Sequence, residues 1–298
     1  MRPGQSLSAL TARLLTQLED LFKTHRPDIV LGHGDTTTCF ATAMSSFYHQ
    51  IPFFHVEAGL RTRCLHSPFP EEFNRQTIAP LAKHHFAPTI VEKQNLLHEG
   101  VSDFDITIAG STVHDAVRLM LEKHMPTDGM REDAPLIVAT LHRREASHSL
   151  FNTLTGIKAA ALARPDALFV CPVHPSPLVR STFHEVLGSL DNVSLTDPME
   201  YPRFLSLLMR ASLVVTDSGG VQEEAAFFGK KVLLARQETE RLDGIQSGLV
   251  SLVGLQPENI RDSILSGLKE NSVSPVIANQ TGLSASEIIA DKVKRFIA

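Results

Sequence analysis

Thr216-Asp217-Ser218-Gly219-Gly220-Val221-Gln222-Glu223-Glu224-Ala225 follows directly on the apolar run Leu213-Val214-Val215. The pattern reads as a strand that breaks at two glycines and opens a helix continuing through Ala226 and Phe227. A helix that starts this way leaves several backbone N–H groups without intrahelical partners. Those donors and the helix dipole both favour an anion, so Ser218, Gly219 and Gly220 are candidate phosphate contacts. Glu223 and Glu224 follow at once, and one of them could take sugar hydroxyls, as acidic residues in nucleotide folds do. The same run also reads as a plain strand–turn–helix junction whose glycines only make the turn. On these residues alone both readings stand.

Outward from this run, short apolar segments alternate with helical ones, which predicts an α/β protein with parallel strands. Strands are expected at 28–33, 51–56, 85–87 and 106–109, and then at 136–140, 168–172, 193–195, 213–216, 232–235 and 250–253. Helices are expected between them, for example at 6–24, 38–49, 73–81, 91–99, 150–163, 177–187, 201–211 and 221–228. The aperiodic segment 122–135, with Pro126, Gly129 and Pro135, is the best linker candidate, and 279–298 reads as a loop and a final helix. The second half therefore holds six strands, while the first holds four and opens on a helix. If the halves were built alike, the first would lack about two or three strands, and 28–33 would present an apolar edge.

Composition narrows the function classes. The 298 residues allow two domains, and 43% apolar with 20% charged content is ordinary for a globular chain. A net charge of −5 gives no basic footprint, so no nucleic-acid partner is expected. Cys39, Cys64 and Cys171 lie far apart with no CxxC spacing, which points away from a metal cluster or disulfide framework and fits a cytoplasmic protein. No apolar run is long enough to suggest a membrane span.

Acidic residues follow the early strands. Asp35 comes after Gly32-His33-Gly34, Glu57 ends Phe53-Phe54-His55-Val56, and Glu71 lies in Ser67-Pro68-Phe69-Pro70-Glu71-Glu72-Phe73-Asn74-Arg75. Ligands of parallel sheets bind beyond the carboxyl ends of strands, and converging carboxylates can divide into an acid and a base. Each has a structural alternative: a helix N-cap for Asp35, an ion pair with Arg61 or Arg63 for Glu57, and first-turn helix charge for Glu71. Further strand ends carry His142 with Arg143 and Arg144, then His174, then Arg236 to Arg241. Arginines there could hold phosphate bidentately or form solvated charge networks. Tyr201 and Phe204 could flank a base, and Phe204 also suits a core.

Taken together, His33-Gly34-Asp35-Thr36-Thr37-Thr38, His55-Val56-Glu57-Ala58-Gly59-Leu60-Arg61-Thr62, Ser67 to Arg75, His142 to Glu145, His174-Pro175, Thr216 to Ala225 and Thr239-Glu240-Arg241 resemble the non-hydrolysing UDP-N-acetylglucosamine 2-epimerases. The motifs come in family order from about Gln5 almost to the C-terminus. The resemblance implies two Rossmann-like halves facing across a cleft, as in GT-B glycosyltransferases: a first half at 1–121, a UDP-binding half at 122–282, and a last helix at 283–298 packing back on the first. It implies interconversion of UDP-GlcNAc and UDP-ManNAc through C2 deprotonation, loss of UDP and its re-addition. Asp35, Glu57 and Glu71 match the catalytic carboxylates and His142 an active-site histidine. Arg75, Arg143, His174, Tyr201, Phe204, Ser218, Gly219, Gly220, Glu224 and Arg241 are expected around the UDP-sugar.

No metal and no cofactor are implied. The family is commonly homodimeric, so a homodimer is expected. Family members open with a strand and a Gly-Thr-Arg-Pro-Glu-type turn that does not occur here, so the first half is expected to be N-terminally truncated, or completed by another chain. Ala146, Leu242-Asp243 and Ser111 also depart from the family pattern. Two other readings are a UDP-sugar-binding remnant with impaired catalysis, and a GT-B glycosyltransferase. The acidic set argues against the transferase, which needs no acid and base at C2.

Overall fold

The structure is a computed structural model, and it describes residues 5–123, 134–141, 147–241, 243–269 and 283–298. The chain divides into two compact units: Met1–Asp115 with Gln280–Ala298, and Ala116–Asn279. The divisions at 115/116 and 279/280 stand where 121/122 and 282/283 were expected from sequence. The linker candidate lies largely outside the described residues.

The first unit opens with α1 (Leu7–Thr24), β1 (Val30–His33), α2 (Thr37–Tyr48) and β2 (Phe53–Val56). It continues with α3 (Glu71–Ile78), a 3-10 turn at Ala79–Leu81, β3 (His84–Ala87), α4 (Ile90–His98), β4 (Ile106–Ile108) and the start of α5 (Thr112–Leu121). The expected helix at 73–81 is thus an α-helix that begins two residues earlier and tightens into a 3-10 turn around Pro80, which cannot donate to the ladder. The four strands are parallel in the order β1-β2-β3-β4.

Alternation along β2 sends neighbours to opposite faces. Phe53 packs with Cys39, Phe40 and Ile78, while Phe54 packs with Phe86, Ala109 and Ile289 of a late helix, Ala285–Ile297. That late helix is fastened by a Ser284–Glu287 capping box, by Phe296 edge-on to Phe54 at 5.0 Å, and by Asp115 accepting from the Ser286 backbone and hydroxyl. β1 is an edge strand, and its Leu31 is 46% exposed.

The second unit holds β5 (Leu136–Thr140), α6 (Ser147–Ala163), β6 (Leu168–Pro172), α7 (Pro177–Leu187), β7 (Val193–Thr196), α8 (Tyr201–Arg210), β8 (Leu213–Thr216), α9 (Gly219–Phe227) and β9 (Val232–Leu234). It closes with α10 (Asp243–Gln246), β10 (Val250–Leu252) and α11 (Pro257–Gly267); the late helix of the first unit is α12. Its six parallel strands run β10-β9-β8-β5-β6-β7, so chain order reverses between β5 and β8. A doubly wound sheet of this kind binds ligands beyond the strand ends at that reversal. A core including Ile137, Leu154, Ile157, Phe169, Phe183 and Ile260 covers one face of the sheet, and the alternate residues Val138, Val214 and Leu234 are buried as well.

Backbone freedom is required at Gly59, where φ is +94° and a Cβ would come within 2.3 Å of the Glu92 carbonyl oxygen. Gly100 shares a left-handed φ of +86° but has nothing within 4 Å of a Cβ. Gly100→Ala is therefore expected to cost about 1 kcal/mol, the backbone penalty alone. Gly59→Ala should cost at least about 2 kcal/mol more, because Glu92 backbone must move. Chemical unfolding of the two variants checks this; equal destabilisation would show that the close approach to α4 is not tight.

Candidate functional site

The carboxyl ends of β1 and β2 carry the first group of candidates. Thr36 caps α2, its hydroxyl accepting from Cys39 N–H, so Asp35 is not the cap. Its Oδ2 instead accepts from Nε and Nη2 of Arg75, at 2.8 and 2.7 Å. Asn74 Nδ2 donates to the Asp35 carbonyl at 2.7 Å, so α3 holds both the backbone and the carboxylate of Asp35. Arg75 is almost fully buried, and its Nη1 meets Glu72 at 3.0 Å.

Glu57 follows β2 with a left-handed φ of +63°, a strained conformation for a residue with a side chain. Neither suggested ion pair forms: Arg61 is held bidentately by Glu99, and Arg63 donates to Asn95. The Glu57 carboxylate lies instead beside Gly34, where a Cβ would stand 3.1 Å from its Oε2, and 3.5 Å from Nε2 of His33. Buried His55 fixes the turn between them, its Nε2 donating to the Gly34 carbonyl at 2.8 Å. Burial drives the His55 pKa down to about 4, so the ring is neutral at pH 7. Glu71 is half-buried in the first turn of α3, with Glu72 fully buried beside it.

In the second unit the glycine turn sits at the reversal of strand order. Thr216 Oγ1 donates to the Thr140 carbonyl at 3.0 Å, tying β8 to β5 where their ends diverge, and also accepts from Ser218 N–H. Ser218 is the N-cap of α9, and Gly219 and Gly220 form its first turn instead of preceding it. The helix expected at 221–228 thus starts two residues earlier.

A Cβ on Gly219 would stand 2.6 Å from Nε of Arg241, so the missing side chain is what lets Arg241 lie across this helix end. Arg241 also pairs with Glu223, and its carbonyl accepts from Gln222. Beyond Gly220 a Cβ would meet nothing within 4 Å. Glu224 is buried, and the Tyr201 hydroxyl donates to its carboxylate. Burial raises Glu224 to about 7 against that hydrogen bond, and burial likewise raises Tyr201.

His174, half-buried after β6, accepts from Ser176 N–H through Nδ1, and Phe204 is half-buried on α8. His142 and Arg143 lie outside the described residues. Sequence reasoning passed over two residues of the first group: His33, whose signal was its place at a strand end beside Gly34, and Glu72, which carried no signal apart from its neighbour. No cluster of three or more His, Cys, Asp or Glu set to hold a metal ion occurs among the described residues, and no described helix is long and apolar enough to cross a membrane.

The family model of UDP-N-acetylglucosamine 2-epimerase matches residues 2–291. The chain belongs to the UDP-N-acetylglucosamine 2-epimerase family. The member from Escherichia coli K12 is 42% identical over 284 residues, which make up 91% of this chain and 76% of that protein. Among solved structures, UDP-GlcNAc 2-epimerase from Neisseria meningitidis bound to UDP-GlcNAc superposes with a TM-score of 0.91 at 37% identity, covering 99% of this chain and 84% of that one. The S. aureus MnaA–UDP structure gives 0.92 at 34% identity, covering 100% and 82%. Two parallel sheets with alternating helices are the architecture this chain shares with these epimerases.

The Glu224 environment gives a pH test. Its folded pKa of about 7 lies above the unfolded value of 4.5, so between these the folded state keeps a proton the unfolded state has lost. Stability relative to Glu224→Gln is therefore expected to fall as pH rises from 4.5 to 7, by roughly 3 kcal/mol in all. Urea unfolding of both proteins across that window reads the difference; parallel curves would mean that Glu224 ionises normally.

Proposed function

We propose that this chain interconverts UDP-GlcNAc and UDP-ManNAc by removal of the C2 proton, elimination of UDP, and re-addition of UDP with protonation on the opposite face of C2. The acidic set of the first unit carries the reading. Asp35 and Glu57 stand at adjacent strand ends, and Glu71 opens the helix that grips Asp35. Abstraction and redelivery of one proton on two faces needs two acid/base groups, and ionisation of the leaving UDP needs fixed positive charge. In our reading Asp35, Glu57 and Glu71 supply the proton chemistry and His142 assists at the diphosphate. Ser218, Gly219 and Gly220 present the α9 N-terminus to phosphate, with Arg241 beside it and Arg143 adding charge. Glu224 takes the ribose hydroxyls, and Tyr201, Phe204 and His174 line the nucleotide.

The proposal extends to assembly and location. Leu21, Phe47 and Tyr48 expose an apolar face on α1 and α2, with Tyr48 70% exposed, which supports a homodimer through that face. Exposed Leu31 on β1 supports pairing of this edge with a strand of another chain. Unpaired Cys39, Cys64 and Cys171 suit the cytoplasm.

NMR of the purified chain with UDP-GlcNAc tests the activity directly: UDP-ManNAc should accumulate. Asp35→Asn, Glu57→Gln and Glu71→Gln are each expected to slow conversion by about 10²–10⁴-fold with UDP affinity unchanged. Wild-type protein that binds UDP without converting the sugar would favour the non-catalytic reading.

A further inference from the structure

We propose that Glu72 is the positioning residue of the acidic set, holding Arg75 against Asp35 and fixing the Thr62 and Arg63 backbone to the start of α3. Glu72 is 0% exposed, so it does not reach a ligand. Its two oxygens are nonetheless fully engaged. Oε2 accepts from Thr62 N–H at 3.0 Å and from Arg75 Nη1 at 3.0 Å, while Oε1 accepts from Arg63 N–H at 3.0 Å and from Gln76 Nε2 at 2.8 Å. Burial alone would raise its pKa, but these bonds outweigh it and hold the carboxyl below its usual range.

A buried carboxylate is tolerated only with this many donors, and removing one side of such an arrangement leaves the other uncompensated. Arg75 is the partner most exposed to that loss. Its side chain is 4% exposed, and it bridges two carboxylates: one that only binds protein and one that stands at the strand ends. Without Glu72, the guanidinium keeps its Nε and Nη2 contacts to Asp35 but loses the carboxylate that holds Nη1 from the other side. The second contact acts on the loop. Arg63 has a left-handed φ of +64°, and the Glu72 oxygen on its N–H fixes that conformation. Glu71 and Glu72 therefore divide the labour of one helix turn, since successive helical side chains point about 100° apart.

The structural part of this inference stands alone, and only its kinetic consequence rests on the epimerase reading. The test is ¹H–¹⁵N NMR of arginine Nε–H groups, with Arg75 assigned through Arg75→Lys. Arg61, whose Nε donates to Glu99 at 2.7 Å, serves as the fold reference within the same unit. In Glu72→Gln the Arg75 Nε–H is expected to exchange with water at least about tenfold faster while Arg61 is unchanged. An Arg75 signal as protected as in the wild type overturns the proposal.

If Glu72→Gln also loses the Arg61 signal, Glu72→Asp keeps the charge and shortens its reach, and the same two outcomes apply. In turnover, Glu72→Gln should lower kcat about 10–100-fold with KM within about twofold, and add no further loss on an Asp35→Asn background. Equal losses on both backgrounds would show that Glu72 does not act through Asp35. A wild-type chain with no turnover would count against the epimerase reading, while exchange at Arg75 would still decide the role of Glu72.

Discussion

A guanidinium withdrawn from water must be neutralised where it stands, and Arg75 is neutralised by Asp35 and Glu72 together. This sharing organises the first unit. Asp35 belongs to the turn after β1, Glu72 to the first turn of α3, and the backbone donors of Thr62 and Arg63 to the loop after β2. The buried Arg75–Glu72 pair therefore joins the turn after β1 and the loop after β2 to α3. With its carboxylate turned to Arg75 and its carbonyl held by Asn74, Asp35 is fixed in place by protein contacts alone, as the proposed proton transfer would require. Glu57 reaches its place by another route, a left-handed backbone between the His55–Gly34 tether and Gly59.

The second unit rests on backbone geometry more than on ion pairs. β5 and β8 lie side by side where strand order reverses, and Thr216 bonds across that boundary. The α9 N-terminus emerges there with two glycines in its first turn, and a side chain at the first would displace Arg241. An anion at this place would meet backbone donors, a helix dipole and a guanidinium at once. Glu224 lies one helical turn further on, with a carboxyl that burial shifts to titrate near neutrality.

The strands were legible because buried parallel strands read as continuous apolar runs: 136–140, 168–172 and 213–216 have the bounds expected from sequence. β1 starts two residues later than expected because its pairing begins only where Val30 N–H meets the Pro52 carbonyl. The start of α9 was misplaced because glycine is a weak helix former, whereas here the Ser218 cap sets the boundary. At Asp35 the sequence left a cap and a crevice carboxylate open, and only the capping geometry of Thr36 separates them. Glu72 was illegible for a deeper reason. Adjacent glutamates look alike in sequence, and what distinguishes them is a set of donors nine or ten residues away in the chain, brought near by the turn after β2.

In the function proposed above, this acidic set removes a proton from carbon. The most direct measurement is to run the reaction in D₂O and read C2 of the recovered nucleotide sugars by NMR. The account predicts UDP-ManNAc carrying deuterium at C2, with label also entering the remaining UDP-GlcNAc as the reaction reverses. UDP-ManNAc formed with protium retained at C2 would contradict it, because the C2–H bond would then never have opened to solvent.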